Sequence, residues 1–185
     1  MSDVSVTIRP LAAPDRERIA QIVHDVGNFS AAEIETALEL IDEWLGMGEA
    51  SGYLTWVVED RESPRDAGSR VMGYVCYGPT PLTESTYDLY WIAVDPRAQR
   101  GGYGRALLTF AEADVEVRGG RLLLIETASH DAYAATIRFY ERAGYDLLSR
   151  IPNYYKMGDD KLTFGKALPR DSLTAGWSGR ESAAR

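Results

Sequence analysis

The hexapeptide Gln99-Arg100-Gly101-Gly102-Tyr103-Gly104 stands between a strand-like run and a helix-like one, and it constrains the chain more than any other feature. The run before it, Tyr87 to Val94, ends at Asp95-Pro96, where proline's missing N–H stops ladder pairing. The run after it, Gly102 to Arg118, has helical periodicity and breaks at Gly119-Gly120. Leu122-Leu123-Leu124-Ile125 follows as an unbroken apolar run, which reads as a strand covered on both faces. Strand, helix and strand in that order imply a right-handed crossover, so the Leu122 strand is expected parallel to the Tyr87 strand.

The remaining elements read from period and punctuation. Val4, Val6 and Ile8 alternate with polar residues before Pro10, as in a first strand. Pro14 opens a helix carried by Ile19, Ile22, Val23 and Val26 and closed by Gly27-Asn28. Ser30 and Glu33 form a capping box for a second helix, whose stripe of Ile34, Leu38, Ile41 and Leu45 runs to Met47. Tyr53 to Glu59 and Val71 to Tyr77 form a hairpin around the polar surface loop Arg61 to Ser69. A last helix spans Ala132 to Ala143 and closes at Gly144. Tyr145 to Ile151 and Lys161 to Ala167 then read as strands around a loop, Pro152 to Asp160. One domain over residues 1–168 and a flexible C-terminal tail over 169–185 are expected.

Composition narrows the function. Twenty basic against 28 acidic residues give a formal charge of -8, which opposes binding to nucleic acid or anionic lipid and suits a cationic amine. Cys76 is the single cysteine, so neither an intramolecular disulfide nor a cysteine-rich metal site is available, and it reads as core packing. No His, Cys or carboxylate spacing matches a metal site. Ser129-His130-Asp131 are sequence neighbours that cannot all face one reaction centre as a hydrolase triad requires, and they read as a loop. No signal-peptide pattern opens the chain, and no window approaches the roughly 18 apolar residues of a membrane span. A soluble cytoplasmic protein, monomer or homodimer, is the expectation.

The chemistry of the turn follows from its place. Backbone N–H groups at the start of a helix point outward without intrahelical partners, and the helix dipole favours an anion there. Glycines at 101, 102 and 104 remove side chains that would block a diphosphate, and Arg100 and Arg105 supply charge. A P-loop is excluded because no Lys-Ser/Thr follows Gly104. A dinucleotide fold would use Gly102-x-Gly104 with Glu126 as its ribose-binding acid, but Asp95 to Arg100 intervene after the strand and three strands come earlier.

These residues resemble the GNAT N-acetyltransferases. The family signature Gln/Arg-x-x-Gly-x-Gly/Ala matches Gln99, Gly102 and Gly104, and Arg138-Phe139-Tyr140-Glu141-Arg142-Ala143-Gly144-Tyr145 is similar to the family's helix-to-strand block. The resemblance implies an α/β fold, a mixed and mostly antiparallel central sheet of about seven strands flanked by about four helices. It implies acetyl-CoA as co-substrate, with Ile92, Ala93 and Val94 presenting backbone to the pantetheine arm. Gln99, Arg100, Gly101, Gly102, Tyr103, Gly104 and Arg105 would hold the pyrophosphate.

The resemblance also implies the catalytic groups. Aminolysis of a thioester needs a neutral amine and a proton for the departing thiolate. Tyr140 matches the family's proton-donating tyrosine. Glu126 matches the base of ribosomal-protein alanine acetyltransferases, and Asp88 stands where histone-acetylating members carry a glutamate. One departure is Tyr133, at a place where the peptide-acetylating relatives carry a cofactor-contacting asparagine, with two extra residues after Glu126.

For the acceptor, Tyr77, Tyr87, Tyr90, Trp91, Tyr154 and Tyr155 could wall an aromatic pocket, and Asp159-Asp160 could attract a cation. The first two helices and the loops Gly78 to Thr86 and Pro152 to Asp160 are expected to set specificity. A small amine or amino-acid-like metabolite is the expected acceptor. The alternatives are a peptide or protein acceptor and a cofactor-binding sensor without turnover.

Overall fold

The computed structural model describes residues 6–62 and 69–168. Val4, the middle of the Arg61 to Ser69 loop and the tail from 169 lie outside the described residues. Along the chain run β1 (Val6–Pro10), α1 (Arg16–Val26), α2 (Ala31–Met47), β2 (Leu54–Asp60), β3 (Val71–Pro79) and β4 (Thr86–Val94). After these come α3 (Tyr103–Val117), β5 (Leu122–Ala128), α4 (Ala134–Arg142), β6 (Asp146–Lys156) and β7 (Asp159–Ala167). The seven strands form one sheet in the order β1-β2-β3-β4-β5-β7-β6, with β4 and β5 its parallel pair.

The amphipathic stripes decide which helix covers which face. Leu107, Leu108, Ala111 and Val115 recur at helical spacing on α3 and are buried with Leu89, Leu123, Ile125, Tyr140 and Phe164. Each such leucine removed from water contributes about 2 kcal/mol. Ile19, Ile22 and Val23 of α1 and Ala37 and Ile41 of α2 cover the other face, over Val57, Tyr74, Cys76 and Ala93. The capping box that starts α2 is present, with Ser30 Oγ accepting from the Glu33 N–H and Glu33 accepting from the Ser30 N–H. Cys76 is wholly buried, and burial pushes its thiol up to about 12, which fits a packing role.

Two expectations change. Leu123 and Ile125 are buried, whereas Leu122 and Leu124 are only half-buried, because α1 and α2 lie over β2 to β4 and leave that face of β5 less covered. The segment Pro152 to Asp160 is not a loop. β6 continues through Pro152 to Lys156, and Met157-Gly158 alone turn into β7. Proline is tolerated there because β6 is the edge strand and its pairing with β7 is irregular between Ile151 and Lys156.

Candidate active site

The parallel pair is short. Thr86 to Leu89 pair with Leu122 to Ile125, and both strands then run on without pairing to each other. A β-bulge lies at the point where they part: Trp91 faces Cys76 and Leu89 faces Tyr77, which leaves Tyr90 as the extra residue in β4. A bulge bends its strand and raises its twist, and here that turns β4 away from β5. The separation opens a cleft of about 1080 Å³ at the carboxyl ends of the two strands.

The cleft brings most of the expected chemistry together. Asp88, Tyr90, Trp91 and Ile92 line it from β4, Glu126 from β5, Tyr140 from α4 and Tyr155 from β6. Phe29 packs edge-on against Trp91 at 5.0 Å, and Tyr53 against Tyr90 at 5.5 Å, so the aromatic wall includes residues from the α1–α2 connection and from the segment just before β2. Tyr140 is buried and packs near Phe164 and Tyr145. Burial foremost, with Tyr133 adding to it, raises its phenol above the usual range and keeps it protonated.

Glu126 and Asp88 are held differently. Glu126 is the first β5 residue past the last rung shared with β4. Its Oε1 accepts from the Tyr155 hydroxyl at 2.7 Å, and its Oε2 is in an ion pair with Lys161. Asp88 lies inside the paired stretch, opposite Leu124, and accepts from the Thr80 hydroxyl at 2.7 Å.

The glycine turn has the geometry of an anion cradle. Arg100 and Gly102 both adopt positive φ, 68° and 86°, and Gly102 is the N-cap of α3. The first bond of the helical ladder runs from Ala106 N–H to the Gly102 carbonyl, so the amides of Gly102 to Arg105 precede it. The side chains of Gln99, Arg100 and Arg105 are exposed, and neither arginine makes an ion pair among the described residues. Asp95, just upstream, anchors the turn: it accepts from the Arg97 N–H and guanidinium and from Arg18, which holds its carboxyl well below the usual range.

Several expected residues have other work. The Tyr103 ring is buried and its hydroxyl donates to Asp60 at 2.8 Å, so only its backbone amide is free to face the cradle. A Cβ at Gly101 would lie 2.6 Å from that same ring, so this glycine relieves crowding inside the fold, whereas one at Gly104 would meet Val94 and Phe139 at the ordinary contact distances of 3.7 and 3.8 Å. Gly102 alone of the three faces open space. Ala93 is buried beneath α1 and α2, and Val94 packs on the opposite face, so their side chains take no part in the cleft.

On the acceptor side, Tyr154 is 53% exposed and does not line the cleft; Lys161 lies over its ring at 4.9 Å. Tyr77 points to the α3 face, where its hydroxyl donates to Asp114. Tyr87 lines a separate small cavity with Pro79 and Arg118, and the Gly78 to Thr86 loop lies at the amino end of β4, away from the cleft. Asp159 accepts from the Ser129 and His130 amides, and Asp160 binds Arg150 and the Asn153 amide, so both carboxylates brace the hairpin before any ligand enters.

Sequence reasoning missed Tyr133, Lys156 and Lys161 as parts of this region. Tyr133 lines the cleft and donates its hydroxyl to the Asn28 carbonyl at 3.3 Å, while Asn28 Nδ2 donates to the Ala132 carbonyl, so the extra residues after Glu126 reach the loop between α1 and α2. The two-residue lengthening was the signal for that contact.

The chain is similar in sequence and fold to known proteins. The family model described as "Acetyltransferase (GNAT) domain" matches residues 51–147. A GNAT-family crystal structure from Desulfovibrio desulfuricans is 41% identical, with TM-score 0.81, covering 88% of this chain and 99% of that one. The ribosomal protein bS18-alanine N-acetyltransferase of Escherichia coli K12 is 40% identical over 80 residues, 43% of this chain and 51% of that one. The chain thus spans about half the length of the curated relatives it matches. A Salmonella typhimurium protein solved with its cofactor acetyl-CoA shares the fold at 20% identity and TM-score 0.68, over 91% of this chain and 96% of that one.

Proposed function

We infer that this chain, which belongs to the GNAT acetyltransferase family, moves the acetyl group of acetyl-CoA to a cationic primary amine by direct attack within a ternary complex. The observation that carries this reading is the split of β4 from β5 over a cleft onto which Glu126 and Tyr140 both open. The residues present suit the co-substrate. Ahead of the α3 ladder lie four amides, an open N-cap glycine and two exposed guanidinium groups, a fit for a diphosphate. Acetyl-CoA supplies the activated acyl group; the protein supplies placement and two proton transfers.

Glu126 takes the proton from the acceptor ammonium. It lies past the last β4–β5 rung, where an amine entering the split meets it. Tyr140, kept protonated by its burial, delivers a proton to the departing sulfur. The acceptor side is aromatic and on balance acidic: Glu33, Asp88, Glu126 and Asp159 against Lys156 line the cleft with Phe29, Tyr53, Tyr90 and Trp91. That lining suits a small cationic amine or an amino-acid-like metabolite. A peptide amino terminus is the second reading, favoured by the relative that acetylates a ribosomal protein alanine.

Release of free thiol, followed with acetyl-CoA and a panel of small amines and Ala-initiated peptides, tests both. Thermal stabilisation by CoA with no thiol release on any acceptor would instead mark a sensor. Glu126→Gln is expected to lower kcat/KM by about 100-fold and Asp88→Asn by no more than about 3-fold. The reverse order would make Asp88, which accepts from the Thr80 hydroxyl, the base.

A further inference from the structure

The base assigned above must contact the nitrogen of the acceptor, and one nitrogen of this chain already contacts it, from the β7 side. Lys161 Nζ is ion-paired with Glu126 Oε2. The pairing follows from the sheet: Ala128 faces Lys161 and Glu126 faces Thr163 across β5 and β7, which makes Glu126 and Lys161 diagonal neighbours. The Lys161 side chain is 22% exposed and crosses the Tyr154 ring at 4.9 Å, so it is held at this place.

The sequence sharpens the point. Of the twenty basic residues seventeen are arginine, and the three lysines, Lys156, Lys161 and Lys166, fall within eleven consecutive positions. Arginine cannot be acetylated under these conditions because its guanidinium stays protonated. Lys166 is buried and bound to Glu112 and the Ala143 carbonyl, away from the cleft. Lys156 is exposed.

We propose that Lys161 is a self-acetylation site, a primary amine held against the base that takes the acetyl group when no acceptor is bound. This rests on the acetyl-transfer reading above. Glu126 removes one proton from the Lys161 ammonium; the neutral Nζ attacks the thioester carbonyl and an N–C bond forms. The C–S bond then breaks and the sulfur leaves as CoA thiol with the Tyr140 proton; Glu126, having passed its first proton to solvent, takes the second from nitrogen, and Tyr140 regains a proton from solvent. The product is a neutral amide. It ends the ion pair and leaves an acetyl group beside Glu126, so the reaction caps the site and does not turn over.

The test is incubation of the whole protein with acetyl-CoA and no acceptor, followed by intact mass and peptide mapping. One acetyl group is expected, at Lys161, at least about tenfold faster than at Lys156 or Lys166. Spontaneous acylation would favour the more exposed Lys156 and would persist in Glu126→Gln. Glu126→Gln and Tyr140→Phe are each expected to slow the Lys161 reaction about tenfold or more, and excess acceptor amine to protect it. Unaltered protein mixed with isotope-labelled Glu126→Gln protein should not label Lys161 of the latter, because the transfer is within one chain. Labelling of Lys161 no faster than Lys156, or undiminished in Glu126→Gln, overturns the proposal. If amines in the panel are acetylated and Lys161 is not, self-acetylation alone fails; if neither is, the acetyl-transfer reading fails with it.

Discussion

Tyr155 donates its phenolic proton to Glu126 Oε1 across 2.7 Å, although β7 lies between the strands that carry the two residues. Burial first, and then this bond, raise the Tyr155 phenol, so it remains a donor throughout the usual assay range. Tyr155→Phe keeps the ring and removes only the donor. It is expected to lower kcat/KM for the acceptor about tenfold, or ~1.4 kcal/mol, with the KM for acetyl-CoA unchanged. Initial rates at varied concentrations of each substrate check this.

Tyr140 gives a pH prediction whose sign follows from its role. A general acid works only while protonated, and burial raises this phenol above its ordinary value of 10.0. The kcat profile is therefore expected to stay level on its alkaline side through about pH 10 and to fall only above it. Tyr140→Phe should lower kcat about 100-fold. An alkaline fall centred well below pH 9 that disappears in Tyr140→Phe would contradict the assignment.

Asp95 makes stability depend on acid. Its carboxyl is depressed in the fold by Arg97 foremost and also by Arg18. A depressed carboxylate stabilises above its unfolded pKa, about 3.9, and that contribution is lost as pH falls from there toward the folded value. Asp95 is nearly buried, so Asp95→Ala is expected to cost about 2–4 kcal/mol at pH 7. The gap between variant and unaltered protein should narrow in urea titrations below about pH 4.

Gly102→Ala isolates the cradle. A Cβ there meets nothing within 4 Å, so the cost is backbone strain at φ 86°, about 1–2 kcal/mol. Relaxation of that strain would re-aim the amides that follow, and calorimetry is expected to find at least about tenfold weaker CoA binding. Gly104→Ala would fill ordinary contact distance beside Val94 and Phe139, and its stability should change less.

Local signals made much of this legible. The capping box of Ser30 and Glu33, the stripe on α3 and the crossover between β4 and β5 all follow from short-range periodicity, and the order of elements with them. What escaped depends on tertiary placement. The direction of the Tyr103 ring is set by Asp60, forty-three positions away, and the continuation of β6 through Pro152 by its place at the sheet edge. The bulge at Tyr90 has no local marker. Lys161 joins the site only because β7 inserts between β5 and β6, a pairing that strand periodicity does not specify.

Among the described residues four rungs, Thr86 to Leu89 against Leu122 to Ile125, are the only strand pairing between β1–β4 and β5–β7, extended by one bond from the Arg121 N–H to the Ser85 carbonyl. The sheet is in effect two leaves on a narrow spine. A ligand lodged between the leaves would act as a rivet, coupling two halves that otherwise share little main-chain bonding, and its departure would let each breathe on its own.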